Sequence, residues 1–247
     1  MKDFDSQNII VSKNEGELLS ELISRTRIEK NISNDISITY AGRLDPMASG
    51  LVLLLTGENV YKKDDYLKLS KTYEVEILFG ISSDTEDALG MIDWGFSIPD
   101  IEEIKRVIEI FPHEYEQEYP DYSSKTVAGI PLFVYAREGR VVTKQKHFVK
   151  INKIKIKSKY KISGNELAKQ AIGRVLKVNG DFRQNEIIKS WKNFGEKESE
   201  KNFLVLKVVV ESGGGTYMRT LAKDIARSVD TKAIAWKICR TKINILK

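Results

Sequence analysis

A chain of 247 residues, 41% apolar and 30% charged, is long enough for one large domain or two small ones around a sizeable core. It has no run near the roughly eighteen consecutive apolar residues of a membrane span. One cysteine, Cys239, excludes an internal disulfide framework and fits a reducing, cytoplasmic setting; with two histidines, His113 and His147, it argues against a Cys/His zinc site, while the count leaves carboxylate-bound metals open. The N-terminal MKDFDSQNII has two acids and no apolar core, unlike a secretory signal. The net charge of +5 is compatible with a polyanionic partner but does not require one.

In chain order, NIIVS (8–12) reads as a strand and 14–30 as a helix. ISITYAGRLDP (36–46) is a strand feeding a loop, and Gly50 opens an apolar run, LVLLLTG, that must be buried. A helix is expected over 58–70, and the alternating KTYEVEILFG (71–80) is a strand. ISSDTEDALG is an acidic loop. It lacks the Asx spacing and terminal Glu of a calcium loop. SIPDIEEIKRVIEIF carries a helical stripe of Ile101, Ile104, Val107, Ile108 and Phe111 behind a Pro-Asp start. After a loop or short strand, a helix is expected from Pro131 to Glu138, stopped by Gly139. Lysines alternate with Ile and Val across 144–161, as in a strand with one basic face, either solvated or turned to phosphate. Helical patterns follow at 164–178 and 184–194, then a strand into three glycines, an amphipathic helix from Thr216 and a final strand over 233–246. Strands are often consecutive, without regular βα alternation, so the fold class is α+β with a mixed, mostly antiparallel sheet.

Few residues stand out chemically. Asp45, before Pro46 at the mouth of the apolar run, is either a turn residue or a carboxylate held at the lip of a core. The glycine turn SGGGTYMRT (212–220) suits an anion or is a flexible connection capped by Thr216. It has neither the GK[ST] of a phosphate loop nor the dinucleotide spacing. Arg219, in the first turn of the following helix, opposes the helix dipole and so hints at an anionic partner. Tyr40, Tyr73 and Tyr217 are either core-edge tyrosines or platforms for a base.

Taken in order, four segments resemble the TruB-type pseudouridine synthases. AGRLDPMASGLVLLLTGE is similar to that family's G-x-LDP-x-A-x-G-x-L segment. KTYEVEILFGISSDTEDALG is similar to its K-x-Y-x-V and TDT-x-D-x-x-G segments. YSSKTVAGIPLFVYAREG (122–139) resembles its YSALK-x-x-G segment, and GGGTYMRTLAKDIA its GTYIR segment. The first also has a flavour of the ribosomal RNA synthases of the same superfamily. The resemblance implies a pseudouridine-synthase-like α+β fold, flanked by helices, and conversion of uridine to pseudouridine in tRNA at position 55 of the TΨC stem-loop. It assigns catalysis to Asp45, support of that aspartate to Arg219 and Asp87, and base binding to Tyr73 and Tyr217. Tyr40, Arg43, Lys13 and Lys125 are candidate RNA contacts. Breaking N1–C1′ and joining C5 to C1′ needs no redox cofactor and no metal-activated water, so neither cofactor nor metal is expected, nor an obligatory protein partner or a membrane. The uracil must leave its stack to reach the carboxylate.

Three departures accompany the resemblance. Tyr40 stands where the family has a histidine, and SKNEGEL (12–18) keeps Lys13 and Gly16 of an early motif but lacks its proline. Residues 160–198 exceed the family core and read as a helical insertion. A single catalytic domain over 1–247 is expected, without the C-terminal PUA RNA-binding domain of typical members. Two alternatives remain from the sequence: a ribosomal RNA substrate, or an RNA-binding and folding-assistance protein without catalysis.

Overall fold

The computed structural model of the protein describes residues 8–244. Strand β1 (Asn8–Lys13) leads into α1 (Leu19–Glu29), which starts five residues later than the apolar spacing implied; there the Glu21 carboxylate accepts from the Leu18 amide at 2.7 Å. Strands β2 (Ile38–Ala41) and β3 (Ala48–Thr56) flank the turn at Asp45. The helix expected over 58–70 is instead a 3-10 segment, Gly57–Lys62, followed by the short α2 (Lys63–Leu67). Next come β4 (Lys71–Phe79) and a small hairpin, β5 (Ile81–Ser83) with β6 (Ile92–Trp94), whose loop is the acidic turn. Helix α3 (Ile101–Glu109), capped by Asp100, precedes β7 (Glu114–Glu118). The tiny pair β8 (Thr126–Val127) and β9 (Ile130–Pro131) leads to α4 (Leu132–Arg137). Strand β10 (Lys146–Ser163) then runs into the helical hairpin α5 (Gly164–Val175) and α6 (Gln184–Lys197). Strand β11 (Asn202–Ser212), α7 (Met218–Arg227) and β12 (Ala233–Ile243) complete the described chain. The last two residues of the expected final strand, 245–246, lie outside the described residues.

Eight strands form one sheet in the order β1-β3-β12-β4-β11-β10-β7, with β2 also on β3. The β12–β3 pair is parallel and its neighbours are antiparallel, the mixed sheet that the element order implied. The run LVLLL is continuous because both faces of β3 are covered. Val52 and Leu54 join the main core, while Leu53 and Leu55 pack with Ala41 and Ile243 behind it. Gly50 is required here. Its φ is +102°, and a Cβ would lie 2.3 Å from the Arg240 carbonyl oxygen.

Helix α7 lays Met218, Leu221, Ala222, Ile225 and Ala226 on the sheet, against core residues of β4 and β11. The hairpin α5–α6 fills a second core, in which Ile187, Trp191 and Phe194 meet Phe203, Val205 and Trp236. Of the stretch expected over 160–198 to be helical, the first residues are strand. Residues 160–163 are the end of β10, paired with β11, and the helices start at Gly164. Just before and along β10, several lysines face acids on adjacent segments: Lys144 to Asp121 at 2.9 Å, Lys150 to Glu114 at 3.5 Å and Lys157 to Glu74 at 2.5 Å. Among the described residues no helix is long and apolar enough to cross a membrane, and no group of three His, Cys, Asp or Glu side chains could hold a metal ion.

Candidate active site

Asp45 sits in the β2–β3 connection, where its carbonyl accepts from the Ala48 amide at 3.0 Å. Lys13, at the end of β1, lies beneath this turn. Its Nζ donates to the carbonyls of Asn14 at 3.0 Å, Pro46 at 3.1 Å and Ala48 at 2.6 Å. Burial pulls its ammonium down to about 8, against the pull of Glu17 and Asp45. With 1% of its surface exposed, Lys13 holds this turn from behind and presents no surface to a ligand; the expected RNA contact is corrected on that ground.

Arg219 comes from the first turn of α7, fully beneath the surface. Its Nε donates to Asp45 Oδ2 at 2.8 Å, one terminal nitrogen donates to the Thr85 carbonyl, and the other donates to the Tyr122 carbonyl at 3.1 Å. Asp87 Oδ2 stands 3.9 Å from Nε. Burial works against the guanidinium's charge, but Asp45, Asp87 and Glu86 more than offset it. The cation at the wrong end of the helix dipole is thus explained by the acids it meets.

Asp87 is held in turn by Thr85 Oγ1 at 2.7 Å and the Leu89 amide at 2.9 Å. Burial pushes its carboxyl up, opposed by Arg219. Glu86, with φ +65°, accepts from Thr220 Oγ1 at 2.8 Å and pairs with Lys223. The acidic turn therefore grips the start of α7 at three side chains.

Tyr73, on β4, faces the same space. Its hydroxyl is pushed up by burial, opposed by the nearby Arg240 guanidinium. Arg240 is itself fixed by the carbonyls of Leu51 at 2.5 Å and Gly42 at 3.0 Å. Lys71 donates to the carbonyls of Leu67 at 3.0 Å and Leu69 at 2.6 Å, and burial, with Arg240 adding to it, pulls it down to about 8.

Tyr217 is the residue that enters α7; Thr216 instead donates back to the Gly213 carbonyl at 3.1 Å. Gln117, wholly buried on β7, locks Tyr217 in place. Its Oε1 accepts from the Tyr217 amide at 2.8 Å, and its Nε2 donates to the Tyr217 carbonyl at 3.2 Å. The Tyr217 ring meets edge-on a stacked pair, Tyr119 and His147, whose centroids are 4.1 Å apart. The glycines before it serve packing: a Cβ on Gly214 would lie 2.1 Å from the Leu67 carbonyl, and the Gly213 amide is taken by Lys150.

Asp45, Asp87, Arg219, Tyr73 and Tyr217 line one cleft of about 660 Å³, while Lys13, Glu86 and Gln117 brace it from outside. Of the residues singled out in the sequence, Arg43, Asp45, Tyr73, Asp87, Lys125, Tyr217 and Arg219 meet there. Lys125 Nζ lies 5.1 Å from the Tyr119 ring centroid. Tyr40 does not join them; its ring packs on the core, with Lys63 Nζ 5.0 Å from its centroid. Sequence reasoning missed Gln117, Tyr119, His147, Arg240 and the hairpin-tip residues Phe182 and Arg183.

A carboxylate held by a buried guanidinium, facing a tyrosine ring in an open cleft, can act on an electrophilic carbon or a proton of a planar ligand. Comparison with known proteins narrows this. The model of the TruB family pseudouridylate synthase N-terminal domain matches residues 30–170, which include Asp45, Tyr73 and Asp87 but end before Arg219. The chain is 34% identical over 229 residues to tRNA pseudouridine synthase B of Mesoplasma florum, covering 91% of this chain and 64% of that protein. It is 38% identical over 117 residues to tRNA pseudouridine synthase 4 of Schizosaccharomyces pombe, covering 47% of this chain and 29% of that one. Among solved structures, a Cbf5-Nop10-Gar1 complex has a chain of the same fold, with a TM-score of 0.56 and 15% identity over 97% of this chain and 49% of that one.

Proposed function

The chain belongs to the TruB family of pseudouridylate synthases, and on that premise we propose that it isomerises a uridine of tRNA to pseudouridine, at position 55 of the TΨC loop. The observation that carries the reading is the Asp45–Arg219 pair, 2.8 Å between Nε and Oδ2, sharing its cleft with Tyr73. The tRNA substrate is supported by the names of the relatives in Mesoplasma and Schizosaccharomyces.

The target uridine swings out of its stack into the cleft, where aromatic faces hold a base. Asp45 is the group that meets the sugar, as nucleophile at C1′ or as base on the ribose. The N1–C1′ bond breaks, the uracil turns, and a C5–C1′ bond forms. The proton that C5 loses is balanced by one that N1 gains, so the product is an isomer. Arg219 orients the carboxylate at Nε and is itself fixed by Thr85 and Tyr122, so the pair needs no rearrangement when substrate enters. Tyr73 and Tyr217 flank the base.

The test is tritium release from tRNA carrying 5-tritiated uridine. Wild type is expected to release one tritium per tRNA, with the new pseudouridine mapped to position 55. No release from any of several tRNAs overturns the proposal, and release only from ribosomal RNA fragments moves the substrate to ribosomal RNA.

A further inference from the structure

We propose that the tip of the α5–α6 hairpin is a second RNA-binding wall of the cleft, and that Arg183 is a positioning residue that takes a phosphate next to the target nucleotide. This rests on the isomerase reading above. The hairpin lies mostly beyond the residues that the family model matches, yet Phe182 and Arg183 from its tip line the same cleft as Asp45.

The tip is built to hold its shape. Gln184 Oε1 accepts from the Phe182 amide at 2.9 Å, and Gln184 Nε2 donates to the carbonyls of Val178 at 3.0 Å and Gly180 at 2.7 Å. The hairpin is anchored at both helices. Arg174 pairs twice with Glu15 at 2.9 Å, and Trp191 Nε1 donates to the Ala88 carbonyl at 3.1 Å, directly beside Asp87. Arg137 ties the opposite wall to the tip through the Asp181 carbonyl at 2.7 Å.

Arg183 projects from this frame with φ +61°, an unusual backbone conformation for a side chain of its size. Its guanidinium lies 4.8 Å over the Tyr122 ring and gives NH1 to Asp84 Oδ2 at 2.7 Å. Tyr122, whose carbonyl holds Arg219, donates its hydroxyl to the same Asp84 oxygen at 3.3 Å. The Arg183–Asp84 pair is about one-third exposed on both sides, so the fold gains little from it. A flipped nucleotide remains tied to its flanking phosphates, so these must lie at the cleft rim. A planar guanidinium resting on an aromatic ring takes a phosphate in the same bidentate geometry as a carboxylate. Asp84 thus holds the place that RNA takes.

The experiment compares wild type, Arg183→Gln, Arg183→Lys and Asp84→Asn on a TΨC stem-loop RNA, by tritium release and by filter binding across a salt series. Arg183→Gln is expected to raise KM about tenfold while kcat falls less than twofold, and to flatten the slope of log K against log salt by about 0.7, one phosphate contact on a single strand. Arg183→Lys recovers the slope, since it keeps the charge. Asp84→Asn leaves KM at or below wild type, because it frees Arg183. If the pair only braces the tip, Asp84→Asn and Arg183→Gln raise KM alike with the slope unmoved, and the proposal is overturned; an unchanged KM in Arg183→Gln overturns it as well. Should wild type isomerise nothing, the functional reading fails alone, and the salt slope of binding still decides the role of Arg183.

Discussion

Arg219 Nε and Asp45 Oδ2 lie 174 positions apart in the chain and 2.8 Å apart in space. The contact joins the first turn of α7 to the β2–β3 connection, and both are fixed independently: α7 by its apolar face on the sheet, the connection by Lys13 from below. Neither side chain has to be ordered by substrate, which is how a site keeps its reorganisation cost low.

Replacing Asp45 by Asn keeps the shape of the turn and removes the carboxylate. Turnover in the tritium-release assay is expected to fall on the order of 10⁴-fold, as for loss of an essential group. RNA affinity stays within about threefold, because phosphate contacts dominate it. Measurable turnover near wild type would remove Asp45 from the chemistry.

Arg219→Met tests the other partner through stability. It leaves Asp87 buried beside Asp45 with no guanidinium between them, and breaking a buried pair on one side costs about 3–5 kcal/mol. Urea unfolding is expected to show that loss. Adding Asp87→Asn recovers a large part of it, since the orphaned charge is then gone. A double variant as unstable as the single one would refute this account of the buried acids.

The polar residues that build the site were unevenly legible in the sequence. The strands and α7 announce themselves by period, because each buries one face, and the run in β3 is continuous because it buries two. Arg219 left one physical trace, a cation at a helix start, and its partner could not be read from spacing. Gln117 left none. EYEQE has the composition of a solvated edge strand, yet tertiary packing buries its glutamine completely. His147 follows from the same event, since β10 pairs with β7 and sets His147 opposite Gln117. Lys13 likewise reads as a surface lysine until β1 docks on β3. The hairpin β5–β6 has strands of three residues, too short for alternation to show.

Gln117→Ala is expected to expose this hidden dependence. The substitution strips the Tyr217 amide of its partner, at about 1–3 kcal/mol for a buried group left unsatisfied, while the Tyr217 carbonyl keeps the Leu221 amide at 2.9 Å. The denaturation midpoint falls accordingly, and kcat falls with it because the Tyr217 ring loses its register against His147 and Tyr119. A destabilised variant with unaltered kcat would show that Tyr217 is held by other means.

Two buried lysines make stability depend on alkaline pH. Lys13 and Lys71 are both pulled down to about 8, from an ordinary value of 10.5. Below pH 8 they are charged in the folded and unfolded chains alike, and the burial cost is felt in full. From about 8 towards 10.5 the unfolded chain binds more protons, so stability rises with pH, by up to about 3 kcal/mol for each lysine. Buried Tyr73 and Tyr115, whose hydroxyls burial raises above 10, reverse the trend beyond pH 10 by keeping protons that the unfolded chain loses. Unfolding free energies from urea titrations at pH 7.5 to 9.5 are expected to climb, and Lys13→Met to climb about half as steeply. A flat wild-type profile would contradict the burial of both amines.

Tyr73→Leu asks whether the ring acts on the base or only fills the core. Tyr73 is buried in one apolar cluster with Val75 and Leu44 and lines the cleft, so leucine keeps most of the apolar contact and forfeits the aromatic ring. Base–aromatic stacking contributes about 1–3 kcal/mol per base, so a stacking role predicts loss of roughly 5- to 150-fold in kcat/KM. Tyr73→Phe, which keeps the face and loses only the hydroxyl beside Arg240, then retains the stacking part. Equal loss in both variants would place the function in the hydroxyl, and equal retention would make Tyr73 a core residue whose position at the cleft is incidental.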